Sequence, residues 1–241
     1  MDEALSRKEK WEKYAKEVDT ETVSKRASFE FTVENFFNLS GEKKTGRLLD
    51  AGCGFGEIDI LVAQRSDFEI TACDISEKCV EIAKQKAYLS GAGNKIKFEV
   101  ADVYRLPYED NYFDIAVSFG YTSAATYKGA QTEIARVLKP GGMLICDFVN
   151  PLSLYKIIYL PKRLRKFIKE EGKYYNILTA KSISRHFAKN NLRFVSQRFF
   201  NTYPPIDFLP ISFLIFFEKS IGRVLGRVMG RVRIVCFEKE K

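Results

Sequence analysis

Histidine is almost absent from this chain: His186 is the only one in 241 residues. The five cysteines, Cys53, Cys73, Cys79, Cys146 and Cys236, are scattered and form no C-x-x-C pair. A catalytic zinc site needs clustered imidazoles or thiolates, so no metal is assigned. The odd cysteine count in apolar, strand-like contexts reads as buried thiols in a reducing compartment rather than as a disulfide framework. No apolar run reaches the 20 or so residues that span a bilayer. The nearest, Tyr203–Phe217, is interrupted by Pro204, Pro205, Asp207 and Pro210. The charged opening Met1–Lys8 lacks the apolar core of a secretion signal, which gives a cytoplasmic expectation. Internal repeats and low-complexity linkers are also missing.

What is present describes an ordinary globular protein: 46% hydrophobic and 29% charged residues, in a length that suits one α/β domain with embellishments. Lys and Arg outnumber Asp and Glu by 39 to 31, a net charge of +8. The excess gathers in the last third, at Lys162–Lys166 and at Arg223, Arg227, Arg231 and Arg233. Such a balance favours acidic partners or an anionic surface, while a solvated helix face is the plainer account. Residues 1–45 carry Trp11, Tyr14, Ala15 and Val18 at helical spacing and read as an N-terminal helical cover. Strand-like and helix-like segments then alternate: 47–51, 57–65, 68–73, 76–90, 96–101, 113–118, 126–138 and 142–148. That alternation predicts an α/β, doubly wound sheet with helices on both faces. Pro140-Gly141-Gly142 is expected to break the fourth helix before its strand. After residue 150 come a basic stretch, a helix at 179–190, a strand at 192–200, an amphipathic segment at 220–229 and a last strand at 231–237.

The segment Leu48-Leu49-Asp50-Ala51-Gly52-Cys53-Gly54-Phe55-Gly56 joins a buried strand to a glycine turn. Its glycines let backbone N–H groups approach a ligand closely. Asp74 ends the second strand about 20 residues further on, where such folds place a carboxylate on ribose hydroxyls. The spacing G-x-G-x-G differs from the dinucleotide G-x-G-x-x-G, so a nucleotide cofactor is indicated without being named. Taken singly, Asp50 could be a loop cap, Asp74 a helix-start acid and Asp102 a turn residue.

Four separated motifs resemble the class I S-adenosylmethionine-dependent methyltransferases of the small-molecule type, the group that includes ubiquinone and menaquinone C-methyltransferases (methyltransferase type 11 domain). They are Leu49–Gly56; Cys73-Asp74-Ile75-Ser76; Ala101-Asp102-Val103 with Leu106-Pro107 and Phe113-Asp114; and Arg136-Val137-Leu138-Lys139-Pro140-Gly141-Gly142. The resemblance covers residues 47–148. It implies a Rossmann-like seven-stranded sheet, mostly parallel with an antiparallel last strand. It divides the chain into the cover at 1–45, a cofactor-binding core at 46–150, and acceptor-side insertions plus two strands of the same domain at 151–241.

S-adenosylmethionine is the implied cofactor and S-adenosylhomocysteine its product. By the same resemblance Asp50, Ala51, Gly52, Cys53, Gly54 and Gly56 would meet the amino-acid portion, and Asp74 the ribose. Asp102 would read the adenine amine, Ile75 and Val103 would sandwich the ring, and Phe119 and Gly120 would pass beside the methionine portion. Tyr14 and Trp11 would fold over as a lid. Methyl transfer demands in-line alignment and exclusion of water more than a base. Tyr121, Asp147, Asn150 and Tyr203, near strand ends, are the candidates for orienting the acceptor, while His186 reads as a surface or boundary residue.

The Asn- or Asp-Pro-Pro-aromatic motif of nucleic-acid amino-methyltransferases is replaced by Ser118-Phe119-Gly120-Tyr121, which reduces nucleic acid to a minor candidate. The acceptor is expected to be small and partly apolar or lipid-like, with Ile206–Phe217 lining its pocket and the basic segments meeting phosphate or a peripheral anionic membrane. A homodimer contact or a helix packed on the sheet is the alternative use of that run. A cofactor-binding protein without turnover and a protein or RNA methyltransferase are the alternative functions.

Overall fold

The computed structural model describes residues 3–17, 22–41, 43–119, 129–150, 153, 184, 185, 187–202 and 209–240. Two helices, α1 (Glu3–Glu17) and α2 (Val23–Leu39), precede the sheet. Then follow β1 (Thr45–Ala51), α3 (Glu57–Ala63), β2 (Asp67–Asp74), α4 (Glu77–Leu89), β3 (Ile96–Val100), β4 (Phe113–Ser118), α5 (Ala130–Val137) and β5 (Leu138–Val149). β6 (Leu192–Phe200), α6 (Ile211–Phe217), a π-turn (Glu218–Gly222), α7 (Arg223–Met229) and β7 (Val232–Lys239) complete the order.

The seven strands form one sheet in the order β3-β2-β1-β4-β5-β7-β6. β1 to β5 pair in parallel, and β7 runs antiparallel to both of its neighbours. The expected doubly wound sheet with an antiparallel last strand is therefore the observed one. Strand residues alternate between two cores, as a sheet covered on both faces requires. Leu48, Ile70, Ile115, Ile145 and Ile234 pack under α2, α3, α4 and α6. Leu49, Cys73, Ala116, Leu144 and Val235 pack under α5 and the segment after β3.

Two boundaries differ from the sequence reading. Helix α5 starts at Ala130 and hands over directly to β5 at Leu138. Pro140-Gly141-Gly142 is not a break before the strand but a bulge inside its pairing: Phe113 faces Leu138, and Ile115 next faces Met143. The extra residues on β5 bend it locally, as bulges do. Of the helix expected at 179–190, half the residues lie outside those described, as does the basic stretch Lys162–Lys166. No helix among the described residues is long and apolar enough to cross a membrane.

Candidate active site

Parallel strands leave their carboxyl ends on one edge, and the strand order reverses between β1 and β4, the place where open α/β sheets bind ligands. Ser118 at the end of β4 donates its hydroxyl to Ala51 O at 2.7 Å, tying the two strand ends together. From Ala51 the chain turns through Gly52, whose N–H, like that of Cys53, donates to Cys73 O at the end of β2. Gly56 has φ +74°, and a Cβ there would meet Ala83 and Phe98 at 3.0 Å, so glycine is required for both conformation and space. Gly54 also has positive φ, but a Cβ would meet nothing, so its backbone borders open space.

Asp74 holds this loop. Its Oδ2 accepts from Gly54 N at 3.0 Å and its Oδ1 from Ser76 N at 2.9 Å. Ser76 in turn caps α4 by accepting from Cys79 N. Burial raises the Asp74 carboxyl, and these backbone donors pull it back toward the charged form. Each oxygen keeps a second lone pair, so loop clamp and ribose acceptor are compatible roles for one side chain.

Beneath the loop lies a pair that motif reading missed. Asp50 and Asp59, the latter on the first turn of α3, are both buried to 2% exposure. Asp50 Oδ1 and Asp59 Oδ2 meet no N–H or O–H donor among the described residues. The two carboxyl groups interact, and since carboxylates only accept, a hydrogen bond between them needs a proton on one. Burial is the first cause raising both; Asp59, Asp74 and Asp147 push Asp50 further. An acid inside the apolar run Ile58-Asp59-Ile60-Leu61-Val62 was the available signal.

Asp102, just beyond β3, accepts from Tyr104 N through Oδ1 and from Arg7 through Oδ2 at 2.7 Å. Arg7 also stacks 4.2 Å from the Tyr104 ring centroid. Helix α1 thus lies over the carboxyl edge, fastened further by Lys8–Glu77, by Glu12 accepting from Lys78 N, and by Ala15 against Phe55 and Cys79. The expected N-terminal cover is present, but the side chain that reaches the cleft is Arg7, which the sequence reading did not single out. Tyr14 falls on α1, and its side chain lies outside the described residues.

Two further motif residues, Arg136 and Asp114, hold the scaffold. Arg136 clamps the segment after β3 through Glu133, Asp110 and the carbonyls of Leu106 and Tyr108. Asp114 accepts from Arg47 N and Lys139 Nζ, locking β4 to β1 and to the bulge, and these partners hold its carboxyl below the usual range. Ile75 and Val103 are half-buried beside the carboxyl ends, and Phe119 packs on the core. Burial pushes all five cysteine thiols up, so Cys53 in the loop is a neutral thiol.

On the acceptor side, Asp147 is buried on β5, close enough to Asp50 to raise it. Asn150 is a correction: its amide donates to Arg227 O and Gly230 O, capping the end of α7. Gly120, Tyr121, Tyr203 and His186 lie outside the described residues. Leu209–Phe217, the described part of the expected pocket lining, instead sets Leu214 into the core and turns Phe213 and Phe216 outward. Among the described residues no group of three or more His, Cys, Asp or Glu is placed to hold a metal.

The donor and acceptor set fits S-adenosylmethionine. A buried carboxyl with an unfilled oxygen suits an ammonium, Asp74 a ribose diol, Asp102 an exocyclic amine, and Gly54 leaves room for close approach. Residues 48–142 match the family model described as a methyltransferase domain. A demethylmenaquinone methyltransferase of Staphylococcus aureus (strain MRSA252) is 37% identical over 124 residues, covering 49% of this chain and 50% of that protein. The chain thus spans about half the length of the curated relatives it matches.

Among solved structures, a putative S-adenosyl-L-methionine-dependent methyltransferase from Methanococcus maripaludis superposes with TM-score 0.62 at 21% identity, over 95% of this chain and 94% of that one. The [4+2]-cyclase SpnF gives TM-score 0.64 at 23% identity, over 93% and 86%. These two likenesses establish the fold.

Proposed function

We propose that this chain, whose residues 48–142 match a methyltransferase domain, is a class I enzyme that transfers a methyl group from S-adenosylmethionine to a small, partly apolar acceptor. The observation that carries the reading is the register of three carboxyl groups, Asp50, Asp74 and Asp102, at the carboxyl ends of β1, β2 and β3 around one glycine loop. When bound, the cofactor supplies an electrophilic methyl on a sulfonium.

The chain's own residues do the rest. Asp74 fixes the loop and accepts from the ribose. Asp102 accepts from the adenine amine once Arg7 gives way. Asp50, whose partner Asp59 holds or yields a proton, balances the ammonium. Asp147, with Tyr121 and Tyr203, orients the acceptor. Helix α1 closes the edge against water, which leaves alignment as the main contribution to rate.

A quinone-type acceptor is the class we take from the names of the half-length relatives. The five free thiols accord with work in the cytoplasm. The likeness to a [4+2]-cyclase keeps a second reading in view, cofactor binding without methyl transfer, because one fold hosts different chemistries. Labelled methyl from S-adenosylmethionine, offered with a cell extract later split into lipid, polar, protein and nucleic-acid fractions, separates these. Label in the lipid fraction, lost in Asp74→Ala, is expected. Label confined to polar or macromolecular fractions rejects the apolar acceptor, and tight cofactor binding with no label in any fraction favours the second reading.

A further inference from the structure

Helix α6, the π-turn and α7 form one continuous helical segment that leaves a row of apolar side chains outside. Leu214, Glu218, Gly222 and Gly226, each four residues from the next, face inward and are buried. At Gly226 the helix lies so close to β6 that a Cβ would come within 3.2 Å of Phe199 O. The inward acid, Glu218, accepts from the N–H and hydroxyl of Thr202. The opposite row, also at four-residue steps, is Phe216, Ser220, Val224 and Val228, with Phe213 and Leu225 beside it. Phe216 is 68% and Val224 80% exposed. Leu214, Ile215 and Phe217 pack on the core, but past the π-turn glycines take the inward positions, and Phe213, Phe216, Val224, Leu225 and Val228 are left outside, more apolar surface than a helix that serves only its own core exposes.

We propose that this row is a surface that lies on an anionic lipid membrane. Charge selects the occupant. The exposed cations are Arg227 and Lys219, the latter 3.9 Å from Glu34 of α2; the segment adds Arg223, and its own acid is turned inward on Thr202. A second copy seated face to face would bring these cations against their own kind, with Glu34 already occupied beside Lys219, whereas anionic headgroups complement them. Apolar side chains interleaved with cations on a helix too short and charged to span are the features of an interfacial segment. The far end of α7 is capped by Asn150, just past the carboxyl end of β5. The α7 end of the surface thus reaches the edge of the sheet that carries the glycine loop, where an acceptor drawn from a membrane would arrive.

Co-sedimentation of the full chain with vesicles tests this. Binding to an equal mixture of phosphatidylcholine and phosphatidylglycerol is expected at low salt, weakened at high salt and absent with phosphatidylcholine alone. Lys219→Gln with Arg227→Gln should weaken partitioning roughly 25-fold, at about fivefold per cation. Phe216→Glu with Val224→Glu should abolish it while leaving the thermal melt unchanged, since both side chains are exposed. The proposal falls if the native chain ignores anionic vesicles at low salt, or if neither variant alters binding. It falls equally if sedimentation velocity without lipid shows a dimer that Phe216→Glu dissolves. None of these readouts involves the cofactor, so their failure leaves the methyl-transfer reading to be judged separately.

Discussion

Replacing Asp59 with asparagine should remove a pH-dependent weakness built into the cleft. Asp59 is buried against Asp50, and burial lifts its carboxyl from an ordinary 3.8 to about 7. A carboxyl raised on folding is bound to its proton more tightly in the native state, so its contribution is harmless below the unfolded value. Stability is then lost as pH rises from about 4 through the folded value, and the loss levels off above it. At 1.36 kcal/mol per pH unit the full effect is about 4 kcal/mol, part of it shared with Asp50 through the common proton.

Asparagine is neutral at every pH and can donate to Asp50, so the variant needs no shared proton. Urea unfolding of both proteins from pH 4 to pH 8.5 should show nearly equal stabilities at the acid end and an advantage for Asp59→Asn that widens up to about pH 7 and then levels off. A difference constant across that range, or a native protein that gains on the variant with rising pH, would refute the shared-proton reasoning.

Two further outcomes follow from the loop and from α1. Gly56→Ala places a Cβ 3.0 Å from Ala83 and Phe98 on backbone with φ +74°. It should lower stability by about 1–3 kcal/mol in chemical denaturation, and an unchanged midpoint would mean that the loop relaxes freely. Trp11, the only tryptophan, rides on α1 and reports its position. Adding S-adenosylhomocysteine should change its fluorescence as Asp102 exchanges Arg7 for the ligand, and Arg7→Ala should accelerate that change in stopped flow. An identical rate in the variant would show that the ion pair does not gate binding.

The strands and the cofactor edge were legible because their signals are local. Leu48-Leu49 next to a glycine turn, an acid closing β2 and another just past β3 are each stated within a few residues, and parallel pairing brings them together. Contacts made across the chain were not legible. Arg7 meets Asp102 across 95 positions, and no periodicity in α1 marks it as different from its neighbouring cations. Asp59 looks like an acid at a helix start, where the dipole welcomes it, and only burial beside Asp50 gives it another meaning. Asn150 looked available for a substrate because its partners, Arg227 and Gly230, lie about 80 residues on. Pro140-Gly141-Gly142 reads as a break by composition, whereas the paired strand β4 turns it into a bulge. The outward apolar row escaped for a related reason: hydrophobicity marks which residues could be buried, but glycine at every fourth position decided which face was.

A strict four-residue step overshoots a full circle by about 40° in a helix of 3.6 residues per turn, so an unbroken α-helix would wind Gly226 well round the axis from Leu214. The wider turn at Glu218–Gly222 unwinds the backbone and cancels part of that drift. Phase, then, is stored in the number of residues between 218 and 222 more than in their identities. Exchanging Ser220 for another polar residue leaves the phase alone. Deleting it would rotate everything that follows by about 100° and carry Val224 and Val228 off the line that Phe216 begins, splitting one surface into two without altering a single apolar side chain.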